Sequence, residues 1–424
     1  MTNRVHLKVA QSGWVAGKLM QRQCVDPMKF RSLQSNAKSC DILVWDTEGI
    51  AGLTPSFDNY SYRSLPVRQA YYFSARHIIY SLYIVLKKLP RFVRLLNIKA
   101  AFAANAGSRL HFKYSYVKKI ILSVIDLSCL LSINPRLLIT LIDDNDRYHA
   151  LDLLIHDRIP VLTVQNGNRS RDATLLSKIG YEHAPGAPSF HSCFCALGKV
   201  DIDDSTKNRC EILESHVVGS VHHDFEQLDT KLKELYFETG NPQKDIVVVA
   251  TGRNDRNSET CMASLLRGYV ACRSVSIVVA MKVSRESKHF QENYDTLCRL
   301  YGDFATLEPR VGSSSLLLAL SAKVVMGTTS TLLREAFAFG KKIYPISCGG
   351  PDLSVYFEQL KINHCPAQEE FNLYLESLLQ ESQESYTKRN AGCIDYIGVV
   401  PQDVRPKDRL ASIIRRKLEV TAAR

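Results

Sequence analysis

Short apolar runs alternate with amphipathic stretches along the whole chain, and that alternation predicts α/β layers built on parallel sheets. In the first half DILVW (41–45), RLLITLI (136–142) and PVLTVQ (160–165) read as strands, each followed by polar residues. In the second half DIVVVA (245–250), VSIVVAM (275–281), AKVVMG (322–327) and KKIYPIS (341–347) do the same. HVVGSV (216–221) reads as the last strand of the first set, and residues 222–245 read as a helix followed by a Gly/Pro linker. Two parallel-sheet domains facing a cleft are therefore expected, divided as 1–235 and 236–424. The piece QESQESYTKR reads as a polar loop or helix end, and no internal repeat interrupts the pattern.

The most informative stretch is VVMGTTSTLLREAFAFGKKIYPI (324–346), which reads as strand, polar turn, helix and strand. Gly327 opens a turn of Thr328, Thr329, Ser330 and Thr331, and LLREAFAF has the apolar spacing of a helix leaning on a sheet. A helix starting there directs free N–H groups and its positive dipole end at the turn, where hydroxyls add further donors. A diphosphate fits such a site without a Walker-type lysine. Glu335, one turn deeper on the same face as Thr331, is placed to accept ribose hydroxyls. Gly340 then stops the helix, and Lys341-Lys342 suit its C-terminal end. The competing reading is an ordinary Thr/Ser N-cap.

Polar clusters also follow the first-half strands. Asp46, Thr47, Glu48 and Gly49 come after DILVW; Asp143, Asp144, Asn145 and Asp146 come after RLLITLI; Gln165, Asn166 and Gly167 come after PVLTV. Singly each is ordinary turn chemistry. Repeated at successive strand ends, they mark the rim where parallel α/β sheets bind ligands.

Composition narrows the partners. A chain of 424 residues with 45% hydrophobic content has room for two full cores. Its 12 cysteines are scattered and the N-terminus lacks an apolar export core, so reduced thiols in a cytoplasmic protein are expected. Cys193 and Cys195 form C-x-C, yet no second C-x-x-C or H-x-x-x-H pair accompanies them, and no metal is expected. The net charge of +11 suits an acidic partner. Because the cations are dispersed and no zinc-finger, RRM or KH pattern appears, nucleic acid is set aside. The segment 77–100, HIIYSLYIVLKKLPRFVRLLNIKA, joins a short apolar run to Lys87, Lys88, Arg91 and Arg94. It is too interrupted to span a bilayer. Two readings stand: a helix packed in the N-terminal domain with a solvated basic edge, and a helix lying on an anionic membrane surface. A second basic amphipathic stretch, RLASIIRRKLEV, closes the chain.

Several of these pieces together resemble a known family. DTEGI (46–50), ITLIDDND (139–146), PVLTVQNGNR (160–169), CALGKVD (195–201), HVVGSV and VVMGTTSTLLREAFAFGKK (324–342) are similar, in order and spacing, to bacterial surface carbohydrate biosynthesis transferases of the GT-B type, relatives of capsule and O-antigen transferases. The family's acidic turn more often has two consecutive carboxylates where this chain has Thr47. The resemblance implies two Rossmann-like domains and a glycosyltransferase that moves a sugar from a nucleotide-activated donor to a surface-glycan or lipid-linked acceptor. It implies no cofactor beyond the nucleotide-sugar co-substrate, and no metal, which agrees with the lack of Asp-x-Asp after any second-half strand.

On that basis the donor side comprises Thr329, Ser330, Thr331 and Glu335, with Arg253 and Lys282 or Arg285, which follow two second-half strands, as cations for the leaving phosphate, the alternative being exposed loop charges. The acceptor side comprises Gln165, Asn166 and Asn145, since amides both donate and accept. The catalytic base or nucleophile is sought among Asp46, Glu48, Asp143 and Asp144, with Glu48 and Asp143 favoured. His222 and His223, before a helix, read as linker surface, with an acid/base role as the alternative. Two rivals share the architecture: a non-hydrolysing sugar-nucleotide epimerase, and a catalytically inactive nucleotide-sugar-binding module.

Overall fold

A computed structural model of the chain describes residues 40–45, 57, 60–64, 75–101, 123–141, 146–165, 190–207, 211–221, 230, 244–250, 256–281, 283, 285–287, 290–309, 314–328, 330–348, 357–398 and 405–422. The first half holds strands β1 (Ile42–Val44), β2 (Tyr62–Ser64), β3 (Leu137–Thr140), β4 (Val161–Val164), β5 (Phe190–His191), β6 (Phe194–Ala196), β7 (Glu211–Ile212) and β8 (Ser215–Val217). Its helices are α1 (Ala75–Ala101), α2 (residues 123–133), α3 (Asp146–Ile155) and α4 (Lys199–Lys207). Six strands form a parallel sheet in the order β2-β1-β3-β4-β6-β8, and β5 pairs with β7 apart from it.

Both faces of this sheet are covered, which is why β1, β3 and β4 read as unbroken apolar runs. Side chains alternate between the faces. Leu43, Leu138 and Val161 pack with Ile84, Phe92, Leu127 and Leu151 of α1, α2 and α3. Ile42, Val44, Ile139 and Leu162 point the other way, into a cluster with Leu410, Ile413, Ile414 and Leu418.

The second half runs β9 (Lys244–Ala250), α5 (Arg256–Val270), β10 (Ile277–Met281), α6 (Phe290–Tyr301), β11 (Thr306–Glu308), α7 (Ser314–Ser321), β12 (Ala322–Gly327), α8 (Thr331–Ala338) and β13 (Lys342–Pro345). Helices α9 (Gln368–Gln380), α10 (Gln383–Ile397) and α11 (Pro406–Ala422) close the chain. The sheet order is β11-β10-β9-β12-β13, all parallel. Residues 406–422 follow the second sheet in sequence, yet the buried side chains of α11 belong to the core of the first. The boundary segment 222–243 lies outside the described residues except for Thr230.

Every strand read from the sequence is present, with ends trimmed; the segment 216–221 contributes only its start, to β8. The edge strands β2 and β11 were missed because each is short and has exposed positions. QESQESYTKR needs correction: it is the junction of two helices, with Ser382 capping the N–H of Ser385 at 3.1 Å and α10 continuing to Ile397. Tyr386, Asn390, Ile394 and Ile397 form its buried stripe, so a polar composition masked a helical period. Gly340 does end α8, at φ +76°. Lys342, however, is buried and its ammonium serves α9 instead, donating to the carbonyls of Leu378 and Glu381.

The basic segment is the single helix α1. Two of its four cations turn out to be engaged within the protein: Lys88 binds Asp157 and the Leu153 carbonyl, and Arg91 pairs with Glu211.

Candidate functional site

Each sheet has one point where strand order reverses, and ligands of open α/β sheets bind beyond the carboxyl ends of the strands there. In the second sheet the reversal lies between β9 and β12. Gly327 ends β12 opposite Val249, so close that a Cβ would meet the Val249 carbonyl at 3.2 Å. The chain then passes Thr328 and Ser330 into α8. Ser330 is extended (φ −72°, ψ 133°) and its hydroxyl accepts from the Leu332 N–H at 3.3 Å, so it is the N-cap. A hydroxyl that accepts this way keeps its own proton to donate. No acidic residue lies in the first turn to oppose an anion. The observed N-cap thus lies in the turn for which the sequence also suggests an anion site.

Glu335 is nearly buried on α8, and its Oε1 accepts from the Ser220 hydroxyl, which follows β8 of the first sheet. The residue expected to reach ribose therefore stands where the two halves meet. Its neighbour Arg334 is buried at the same junction, donating to both Asp201 oxygens at 2.7 and 3.2 Å and to the Ile397 carbonyl at 2.7 Å. Asp201, in the first turn of α4, also accepts from the Gly198 N–H at 3.0 Å and from Gln165 Nε2 at 2.7 Å. Gln165 Oε1 accepts in turn from the Leu197 N–H at 2.9 Å. Gln165 is fully buried, so its assignment as a sugar binder is corrected: its amide orients Asp201. Asp201, Arg334 and Ser220 were not singled out from sequence. The available signal was a charged pair, Arg334-Glu335, inside an otherwise apolar helix face.

In the first sheet the reversal lies between β1 and β3. The acidic clusters 46–48 and 143–144 follow these two strands in sequence. Asp46, Glu48, Asp143, Asp144, Asn145 and Asn166 lie outside the described residues, as do Thr329, Arg253, Lys282, His222 and His223. Among the described site residues, Ser330, Thr331 and Glu335 are brought together on α8.

A separate polar cluster sits between β6, β8 and α11. Cys193, Glu214 and His216 have ligand atoms within 4.8 Å of one another, a donor set that transition metals accept. The second ligand pair absent from the sequence motifs is E-x-H at the start of β8, brought beside C-x-C by the pairing of Cys195 with His216. Yet Glu214 is already held by Lys417, by Arg416 at 2.7 Å and by His216 at 2.7 Å. Two protein cations on the same carboxylate oppose a divalent ion. Hydrogen bonds from Cys195 and His216 hold the Cys193 thiol below its usual range, and the bond to Cys193 raises His216. The arrangement is a self-neutralised charge cluster under α11.

No protein-family model and no curated protein matches the chain. Solved structures do. The UDP-GlcNAc 2-epimerase of Neisseria meningitidis bound to UDP-GlcNAc is 13% identical, covers 89% of this chain and 100% of its own, and superposes with a TM-score of 0.50. S. aureus MnaA in complex with UDP is 12% identical, with 90% and 97% covered and a TM-score of 0.52. The Methanocaldococcus jannaschii UDP-GlcNAc 2-epimerase with UDP-GlcNAc and UDP is 12% identical, with 89% and 99% covered and a TM-score of 0.50. The fold is of the GT-B type. Its two Rossmann-like halves are the two parallel sheets described above.

Proposed function

We propose that this protein is an enzyme of nucleotide-activated sugars that holds the diphosphate of its ligand at the N-terminus of α8. The observation that carries this reading is the position of Ser330: it caps α8 directly beyond the switch point of the second sheet, with no carboxylate in the first turn. Thr329 and Thr331 supply further hydroxyls, Arg253 and Lys282 the cations, and Glu335 the carboxylate for ribose. Helix dipole, hydroxyls and cations together stabilise charge on the nucleotide, so no metal and no cofactor is required. Asp46, Glu48, Asp143 and Asp144, which follow β1 and β3 in sequence, act on the sugar in this reading, with Asn145 and Asn166 orienting it.

Two reactions suit this arrangement. The sequence resemblance implies transfer to a surface-glycan or lipid-linked acceptor, with one of these carboxylates as base or nucleophile. Epimerisation of the sugar while it stays on its nucleotide is favoured by the similar solved structures, which are UDP-GlcNAc 2-epimerases holding UDP-GlcNAc or UDP. It needs acid/base groups but no acceptor.

The test begins with UDP-, CMP-, CDP- and GDP-linked sugars as thermal stabilisers, because a ligand that binds the native state raises apparent stability. Each stabilising donor is then incubated with and without acceptor, in the presence and absence of a chelator. Product without acceptor supports epimerisation, product only with acceptor supports transfer, and stabilisation without product identifies a binding module. If none of these nucleotides stabilises the protein, the reading fails.

A further inference from the structure

Helix α1 carries an apolar face that points away from the core. At 100° per residue, Ile79, Leu82, Tyr83, Leu86, Leu89 and Val93 fall within an arc of about 120°. All six are exposed, Ile79 to 68% and Leu86 to 66%. The opposite arc, with Ile84, Val85 and Phe92, is buried in the first core. Between these two arcs, along one edge of the exposed stripe, lie the exposed cations Arg76, Lys87 and Arg94. Arg158 joins that edge by stacking over the Tyr80 ring at 4.8 Å. Two acidic groups on this side of the helix are already paired with its own cations, Asp157 with Lys88 and Glu211 with Arg91. From Ile79 to Val93 the stripe is about 21 Å long, since each helical residue rises about 1.5 Å.

We propose that this outward face of α1 docks on an anionic lipid bilayer. Apolar side chains enter the acyl boundary, and the cationic edge lies at the level of acidic headgroups, as in helices that bind in the plane of a membrane. No helix among the described residues is long and apolar enough to cross a membrane, so α1 lies on the surface. Charge favours lipid over a second copy of the chain, because a self-interface would bring this cationic edge, and a net charge of +11, against its like. The proposal does not depend on the nucleotide-sugar reading.

The test is flotation of the full chain with phosphatidylcholine vesicles, with and without phosphatidylglycerol, at low and high salt. The parent protein should float with the anionic vesicles, and high salt should weaken it. Ile79→Ser with Leu86→Ser should lower partition by more than tenfold, through loss of apolar burial. Lys87→Gln with Arg94→Gln should lower it about 25-fold on anionic vesicles, at about fivefold for each cation near a charged surface. All four side chains are exposed, and unchanged circular dichroism and melting temperature establish that the variants fold. The proposal is overturned if the parent ignores anionic vesicles, if it floats equally with neutral ones, or if either variant floats like the parent. It is also overturned if light scattering finds a dimer that the serine variant converts to monomer, since a second copy then covers the stripe.

Discussion

Asp201 and Arg334 are joined by a bidentate ion pair, Nη2 to Oδ2 at 2.7 Å and Nη1 to Oδ1 at 3.2 Å, with side chains only 2% and 3% exposed. Asp201 stands on α4, which follows β6 of the first sheet; Arg334 stands on α8 of the second half. The pair thus ties the halves together beside the candidate site. Removing one partner of such a pair strands the other charge, at a cost of about 3–5 kcal/mol. Asp201→Asn should lower the urea midpoint accordingly. An unchanged midpoint would mean that the junction tolerates an unpaired guanidinium.

Gly198 makes a second close contact at this junction. A Cβ there would lie 2.0 Å from the Ile397 carbonyl oxygen, so α4 and α10 must move apart to admit one. Gly198→Ala should destabilise by about 1–3 kcal/mol, the usual cost of overpacking. Denaturant titration checks it, and a neutral substitution would show that the two helices are not in fixed contact.

On the donor side, Ser330→Ala should cost about 1 kcal/mol of stability through loss of the cap. Combined with Thr331→Val it should raise the nucleotide dissociation constant about tenfold or more, the worth of a hydrogen bond to a charged group. Glu335→Gln should also weaken nucleotide binding while leaving the contact with Ser220 intact, because an amide oxygen still accepts. Denaturant titration reads the first and isothermal titration the other two. Parent-like affinity in every variant would remove α8 from the ligand site.

The carboxylates that follow β1 and β3 in sequence should behave oppositely. Glu48→Gln and Asp143→Asn should bind nucleotide normally yet turn over about a hundredfold more slowly, since a group acting in the transition state alters turnover rather than ground-state affinity. Single-turnover measurements beside titration separate the two classes. Full activity in both variants would reduce the acidic clusters to turn chemistry.

Asp152 sets a pH dependence. Burial pushes its carboxyl up to about 8 from an ordinary value of 3.8, although Oδ2 accepts from the Ser192 N–H at 2.8 Å. The folded state therefore prefers the protonated acid. Its contribution to stability is full below about pH 4 and is lost as pH rises toward about 8, at up to about 1.4 kcal/mol per pH unit. Asp152→Asn keeps an acceptor for Ser192 and removes the titration. Stability measured from pH 5 to 8 should fall less steeply for the variant, and parallel curves would refute the assignment.

The order of elements was legible in the sequence because buried parallel strands must be apolar on both faces. DIVVVA, VSIVVAM and AKVVMG announce β9, β10 and β12 without any knowledge of their partners. The turn at 327–331 was legible for a similar local reason: a glycine, a run of hydroxyls and an amphipathic helix suffice to place an N-cap. Tertiary structure alone decided what lies far apart in sequence. It set α11 against the first sheet, paired Asp201 with Arg334, and placed C-x-C beside E-x-H. It also decided the orientation of α1, turning Lys88 and Arg91 inward while leaving Leu86 and Lys87 outside. Gln165 shows the physical reason. An amide after a strand reads as a ligand-binding group until packing brings a buried carboxylate to within 2.7 Å of it; a polar side chain's partner depends on which chain segments meet, and local periodicity carries no record of that.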